Sequence, residues 1–146
     1  MAKVSRARSI PGRAPAYGSE FVLELYLVFT TLEATRCALI TAKCLANDLR
    51  MRLVLLVPQV VPYPLPLDES PVSAEFLDNM LRPLASGLES AVEVRRYLCR
   101  DRDETVRRAV LPNSIVLIGK TRHWGGWADR RLERKMGLEG HQVILV

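Results

Sequence analysis

A chain of 146 residues, 49% apolar, has the length of one ordinary domain and enough apolar side chains for a real core. The net charge of +5 is carried on an average charged fraction of 25%, and much of the excess (Lys3, Arg6, Arg8, Arg13) lies at the N-terminus. Three cysteines, an odd number, argue against a disulfide framework, and no uninterrupted apolar run reaches the ~20 residues of a membrane span.

Residues 1–19 hold Pro11, Gly12, Pro15 and Gly18 among arginines and small residues, with no apolar period. They are expected to form a flexible basic tail before a domain spanning 20–146. Such a tail is either a solvated arm or an electrostatic handle for nucleic acid or an anionic membrane surface. No long apolar segment follows it, so a secretory signal is not expected.

Phe21 to Phe29 reads as the first strand. Thr30-Thr31-Leu32-Glu33 then opens a helix to about Asp48, with Thr30 as the cap and Glu33 in the capping-box position. Ala34, Cys37, Ala38, Thr41, Cys44 and Leu45 fall on one stripe at helical spacing, and that small-residue stripe is expected to lie on a sheet. Cys37 and Cys44 stand two turns apart, too far for a bridge. With Cys99 they are expected to be reduced and mostly buried, as in a cytoplasm.

Arg52 to Val57 is the second strand, and the prolines at 58, 62, 64 and 66 then make a stiff extended loop. Crossing a sheet edge and serving as a peptide-domain ligand are both open to it. Ser70-Pro71 or Ser73 opens the next helix, to about Leu88, with Phe76, Leu77, Met80, Leu81, Leu84 and Leu88 on its apolar face. Pro83 is expected to kink or divide that helix. Ala91 to Arg100 alternates better than the other strands and carries Arg95 and Arg96, which places it toward an edge. Asp101 caps a short helix to Val110, with Glu104 at the third position.

Ser114 to Gly119 is a buried-strand pattern stopped by glycine, with Lys120-Thr121-Arg122 as its polar exit. A helix from about Trp127 to Met136 follows, ended by Gly137, and His141 to Val146 is the last strand. The order β-α-β-α-β-α-β-α-β implies a five-stranded parallel, doubly wound α/β sheet, flavodoxin-like in class, a three-layer sandwich. Ligands of such sheets sit outside the strand carboxyl ends, where strand order reverses. If Ser114–Gly119 is the strand beside that reversal, the Gly119 loop is the place to look for function.

From Phe21 to Val146 the chain resembles the universal stress protein family. The resemblance rests on the strand, polar turn and Ala-rich helix at the start, and on the valine-to-proline loop Val57-Pro58-Gln59-Val60-Val61-Pro62. It rests also on the acidic turn Asp101-Arg102-Asp103-Glu104, and on the closing order of strand, glycine, basic-glycine loop, helix and apolar terminal strand. The resemblance implies an adenine nucleotide alpha hydrolase-like fold and an adenine-nucleotide site, for ATP with Mg, drawn from Thr30, Thr31, Val57, Gly119, Lys120, Thr121, Arg122, Gly125 and Gly126. It also implies a homodimer through the last strand, Gln142, Val143, Ile144, Leu145 and Val146, which an apolar edge strand favours on physical grounds too.

The chain departs from the family's pattern in three places. No acid follows the first strand, where Phe29-Thr30-Thr31 stand, Arg122 occupies the second glycine position of the phosphate loop, and the later Gly-Ser or Gly-Thr pair at a helix start has no match in the shortened segment from Trp127 to Met136. Backbone N–H groups must approach a phosphate closely, so these departures indicate a degenerate nucleotide site in a regulatory binding module without turnover. A retained ATP site, and an electrostatic binder of nucleic acid or other anions, are the alternatives.

Around the loop, Gly119 to Arg122 is either an anion site or a solvated basic turn. Trp124 and Trp127 flank Gly125-Gly126, and either stack on a ring or pack against the sheet and a partner. Arg130, Arg131, Arg134 and Lys135 make a basic helix that needs no nucleic-acid partner to exist. His123 has no neighbouring acid or nucleophile in sequence, so no catalytic residue is assigned, and no Cys/His spacing resembles a metal site.

Overall fold

The apolar runs become strands and the 3.6-residue periods become helices. The computed structural model describes residues 3–5, 23–68, 73–85, 92–121 and 126–146. In chain order they form β1 (Lys3–Ser5), β2 (Glu24–Val28), α1 (Leu32–Leu49), β3 (Arg52–Val60), α2 (Ala74–Ala85), β4 (Val92–Cys99), α3 (Arg102–Ala109), β5 (Ile115–Ile118), α4 (Gly126–Leu138) and β6 (Gln142–Leu145). The sheet order is β1-β4-β3-β2-β5-β6. The five strands β2 to β6 pair in parallel, as the alternating order requires.

The sheet gains a sixth strand that the sequence reading did not contain. Lys3–Ser5 lies in the segment expected to lack regular structure, yet it pairs antiparallel with Tyr97, Arg96 and Leu98 of β4. The pairing is made through main-chain groups, so composition carries no signal of it, and it covers the outer edge of β4.

β2 is buried at all five positions, at the centre of the sheet. Its odd-numbered side chains, Leu25 and Leu27, pack with Leu53, Leu55 and Val57 under Ala38, Leu39 and Ala42 of α1 and Leu81 of α2. Its even-numbered Tyr26 and Val28 pack with Val54, Leu56, Val116 and Ile118 under Val106 of α3 and Leu132 and Met136 of α4. Period-two alternation therefore feeds two cores, one on each face of the sheet.

Several boundaries move, each for a local reason. Thr31, not Thr30, caps α1: its side chain accepts the Ala34 N–H at 3.2 Å. The buried face of α1 is Thr35, Ala38, Leu39, Ala42 and Ala46, so the stripe is turned from the one expected, and Cys37 and Cys44 are exposed while Cys99 is buried. β3 continues through Pro58 to Val60. Arg52 and Leu56 bond to β2, so Pro58, two residues further on, turns its missing N–H to the side where β2 has already ended, and no ladder bond is lost. Ser73 caps α2 by accepting the Phe76 N–H at 3.2 Å, and the helix runs as one span through Pro83. α4 continues past Gly137, and the glycine that turns the chain is Gly140, at φ +90°. No helix among the described residues is long and apolar enough to cross a membrane.

Candidate functional site

The strand order reverses between β2 and β5, so the crevice predicted by the fold lies between Phe29–Thr31 and Gly119–Thr121. Among the described residues the two exits meet across it. The Thr30 hydroxyl donates to the Gly119 carbonyl at 2.8 Å, joining the two exits directly. The Thr30 N–H donates to the buried Thr35 hydroxyl at 3.2 Å. Thr31 takes two N–H groups of the first turn of α1, Ala34 through its hydroxyl and Thr35 through its carbonyl at 2.9 Å. Of the two, the Ala34 N–H is a donor that a helix N-terminus would otherwise turn toward a phosphate, while the Thr35 N–H makes the first bond of the helix itself.

Gly119 is a packing glycine. A Cβ placed there meets the Ala34 carbonyl oxygen at 2.8 Å, its carbon at 2.9 Å and the Thr35 nitrogen at 3.1 Å. The missing side chain thus makes room for the first turn of α1. The Lys120 N–H donates to the Val146 carbonyl at 2.7 Å, and its exposed ammonium forms no ion pair among the described residues.

The Thr121 hydroxyl donates to Asp129 at 2.8 Å, and Asp129 is 2% exposed. An anion approaching Thr121 therefore meets a carboxylate. Gly126 begins α4, where a Cβ would stand in ordinary contact, 3.6 Å from the Thr121 carbonyl. Val57 lies just beyond Leu56, whose carbonyl accepts the Phe29 N–H, but its side chain is 2% exposed within the α1/α2 core. Arg122 and Gly125, like His123 and Trp124, lie outside the described residues. Trp127 is exposed, with the Arg131 guanidinium 5.1 Å from its ring centre. The described residues thus bring Thr30 and Gly119 together in direct contact.

Two charged networks escaped the sequence reading. The first binds α3 to α4. Asp103, 2% exposed, accepts from Arg131 at 3.0 Å and Lys135 at 3.4 Å, and Arg102 reaches both Asp103 and Asp129 at 3.3 Å. Burial alone would raise the Asp103 carboxyl; Arg102, Arg131 and Lys135 outweigh it and hold the group below the usual carboxylate range. The basic helix is therefore divided, since Arg131 and Lys135 are spent on Asp103 while Arg130 and Arg134 make no ion pair among the described residues.

The second network lies at the amino end of the strands. Arg95 grips Glu24 with two bonds, at 2.7 and 3.3 Å, and Arg52 and the Tyr26 hydroxyl also donate to it. Burial would raise Glu24, but the bonds from Arg95, Tyr26 and Arg52 prevail and hold it at about 2. Burial and the Glu24 carboxylate push Tyr26 up to about 12. Neither group exchanges a proton near neutral pH, so the cluster is structural and not a general acid–base pair. Its signal in the sequence was charge inside apolar strands, at Glu24, Arg52, Glu93 and Arg95.

At the carboxyl end of β4, Arg100 donates to the carbonyls of Val61 at 2.7 Å and Leu65 at 2.6 Å and stacks on Tyr63 at 4.0 Å. The proline-rich loop is thus held against the sheet end. Among the described residues no three His, Cys, Asp or Glu side chains converge as a metal site. The chain matches no protein-family model and none of the curated proteins with which it was compared.

Proposed function

We propose that the chain is a universal stress protein-like binding or regulatory module that pairs with a second copy through β6, with a degenerate nucleotide site and no turnover. The bond between Thr30 and the Gly119 carbonyl carries this reading. It lies in the crevice in which the fold class places its ligands, and a Cβ added at Gly119 would run into the backbone of α1, which supports packing as the role of that glycine. Dimerisation is supported by the position of β6 at the sheet edge and by Ile144, 40% exposed on it.

Calorimetric titration of nucleotide-stripped protein with Mg-ATP tests the first half. No heat and no thermal stabilisation at millimolar nucleotide is expected. Saturable binding that Lys120→Ala weakens would restore the adenine-nucleotide alternative, with the exposed Lys120 as its anchor. Sedimentation equilibrium tests the second half, with the mass of two chains expected at micromolar concentration and a monomer as the refuting result.

A further inference from the structure

β6 is bordered by a groove of about 500 Å³ lined by Arg130, Glu133, Arg134 and Gly137 of α4, with His141 and Val143. Arg130 and Arg134 are the two cations of α4 left without an ion pair among the described residues, and both are exposed. His141 accepts the Ser114 N–H on Nδ1 at 3.2 Å, which leaves Nε2 as its remaining N–H donor. Two guanidinium groups and an imidazole thus outnumber the one carboxylate, Glu133.

The groove runs beside a strand edge that no other described strand covers. Gln142 and Val146 donate to β5, so by strand alternation the main-chain groups of Val143 and Leu145 point outward, away from it. The side chains of Val143 and Leu145 face α4, whereas Ile144 stands 40% exposed on the other face. Arg130 and Arg134 are four residues apart, a rise of ~6 Å along the helix. Alternate side chains of an extended strand repeat every ~6.6 Å. The two spacings match.

We infer that the α4–β6 groove receives an extended acidic segment of a partner protein, added to the sheet as a further strand beside β6. Carboxylates at alternate positions face Arg130 and Arg134, and apolar residues between them cover Ile144. The inference shares only the open edge of β6 with the homodimer reading. A second copy paired through β6 would bring Val143 and Leu145 to the α4 side, which leave the arginines unanswered, so the acidic segment and self-pairing compete.

The test uses fluorescence polarisation of the full chain with a labelled octapeptide alternating glutamate and valine, beside a lysine-and-valine control, with sedimentation run in parallel. The glutamate peptide is expected to bind and the lysine peptide not to bind. Replacing both arginines (Arg130→Ala with Arg134→Ala), which are exposed and without an ion pair among the described residues, is expected to weaken binding about tenfold, the scale of two exposed ion pairs. Val143→Pro removes an outward N–H that β5 does not use, and is expected to abolish binding with the fold intact. Binding that the arginine pair does not alter, or no binding, overturns the inference, as does tighter binding of a single-stranded oligonucleotide through the same arginines. A chain that sediments as a monomer but binds the peptide refutes only self-pairing.

Discussion

Gly119→Ala separates a packing glycine from a ligand-cradling one. The added Cβ would stand 2.8 and 2.9 Å from the Ala34 carbonyl and 3.1 Å from the Thr35 nitrogen, all main-chain atoms of the capped first turn of α1. Main chain cannot rotate aside as a long side chain does, so β5 and α1 must part by several tenths of an ångström. Overpacking of this kind costs about 1–3 kcal/mol. The same displacement stretches the 2.8 Å bond from Thr30 to the Gly119 carbonyl, worth about 0.5–1.5 kcal/mol. Together they predict a loss of about 2–4 kcal/mol, or roughly 6–12 °C in Tm for a chain of this size. The assay is urea unfolding followed by far-ultraviolet circular dichroism, with differential scanning calorimetry beside it. Gly137→Ala is the control: nothing lies within 4 Å of its added Cβ inside α4, so a gain of about 0.5 kcal/mol is expected. A Gly119→Ala protein within 0.5 kcal/mol of the parent, on the ~0.5 kcal/mol scale of neutral surface changes, would refute the packing argument.

Three further outcomes follow from the networks and thiols. Glu24 falls from an ordinary 4.5 to about 2 on folding, so its contribution of about 3 kcal/mol is complete above pH 4.5 and is lost as the pH falls from there through about 2. Glu24→Gln should lower stability at pH 7 and flatten unfolding free energy across that acid window; an unchanged acid limb would count against it. Asp103→Asn should cost about 2–3 kcal/mol in urea unfolding at pH 7, at or below the usual figure for a broken buried pair because Arg131 and Lys135 are partly hydrated. A thiol reagent should modify Cys37 and Cys44 at once and Cys99 only on unfolding, since Cys99 is 1% exposed and burial pushes its thiol up. Three fast thiols, or one, would contradict the burial pattern.

The elements were legible because their signals are local. β-branched apolar runs at 53–57 and 115–118, the acidic cap at Asp101 and the alternation of strand with helix need only neighbouring residues to be read. The buried face of α1 was misjudged because apolar residues such as Ile40 and Leu49 also stand on its exposed side, and the sheet decides which small residues it covers. Lys3–Ser5 was missed because strand addition is written in main-chain bonds.

The candidate site was half legible. Its location followed from strand order, but the close packing of Gly119 on α1 was not visible. Thr30 and Gly119 are 89 positions apart, and Asp103 and Arg131 are 28 apart. Periodicity and composition determine which segments are strands and helices, because burial of one face repeats along the chain itself. Whether a glycine cradles a ligand or admits a helix, and whether an arginine meets a carboxylate or water, depends on which distant segment crosses it. Only the tertiary packing brings that segment there.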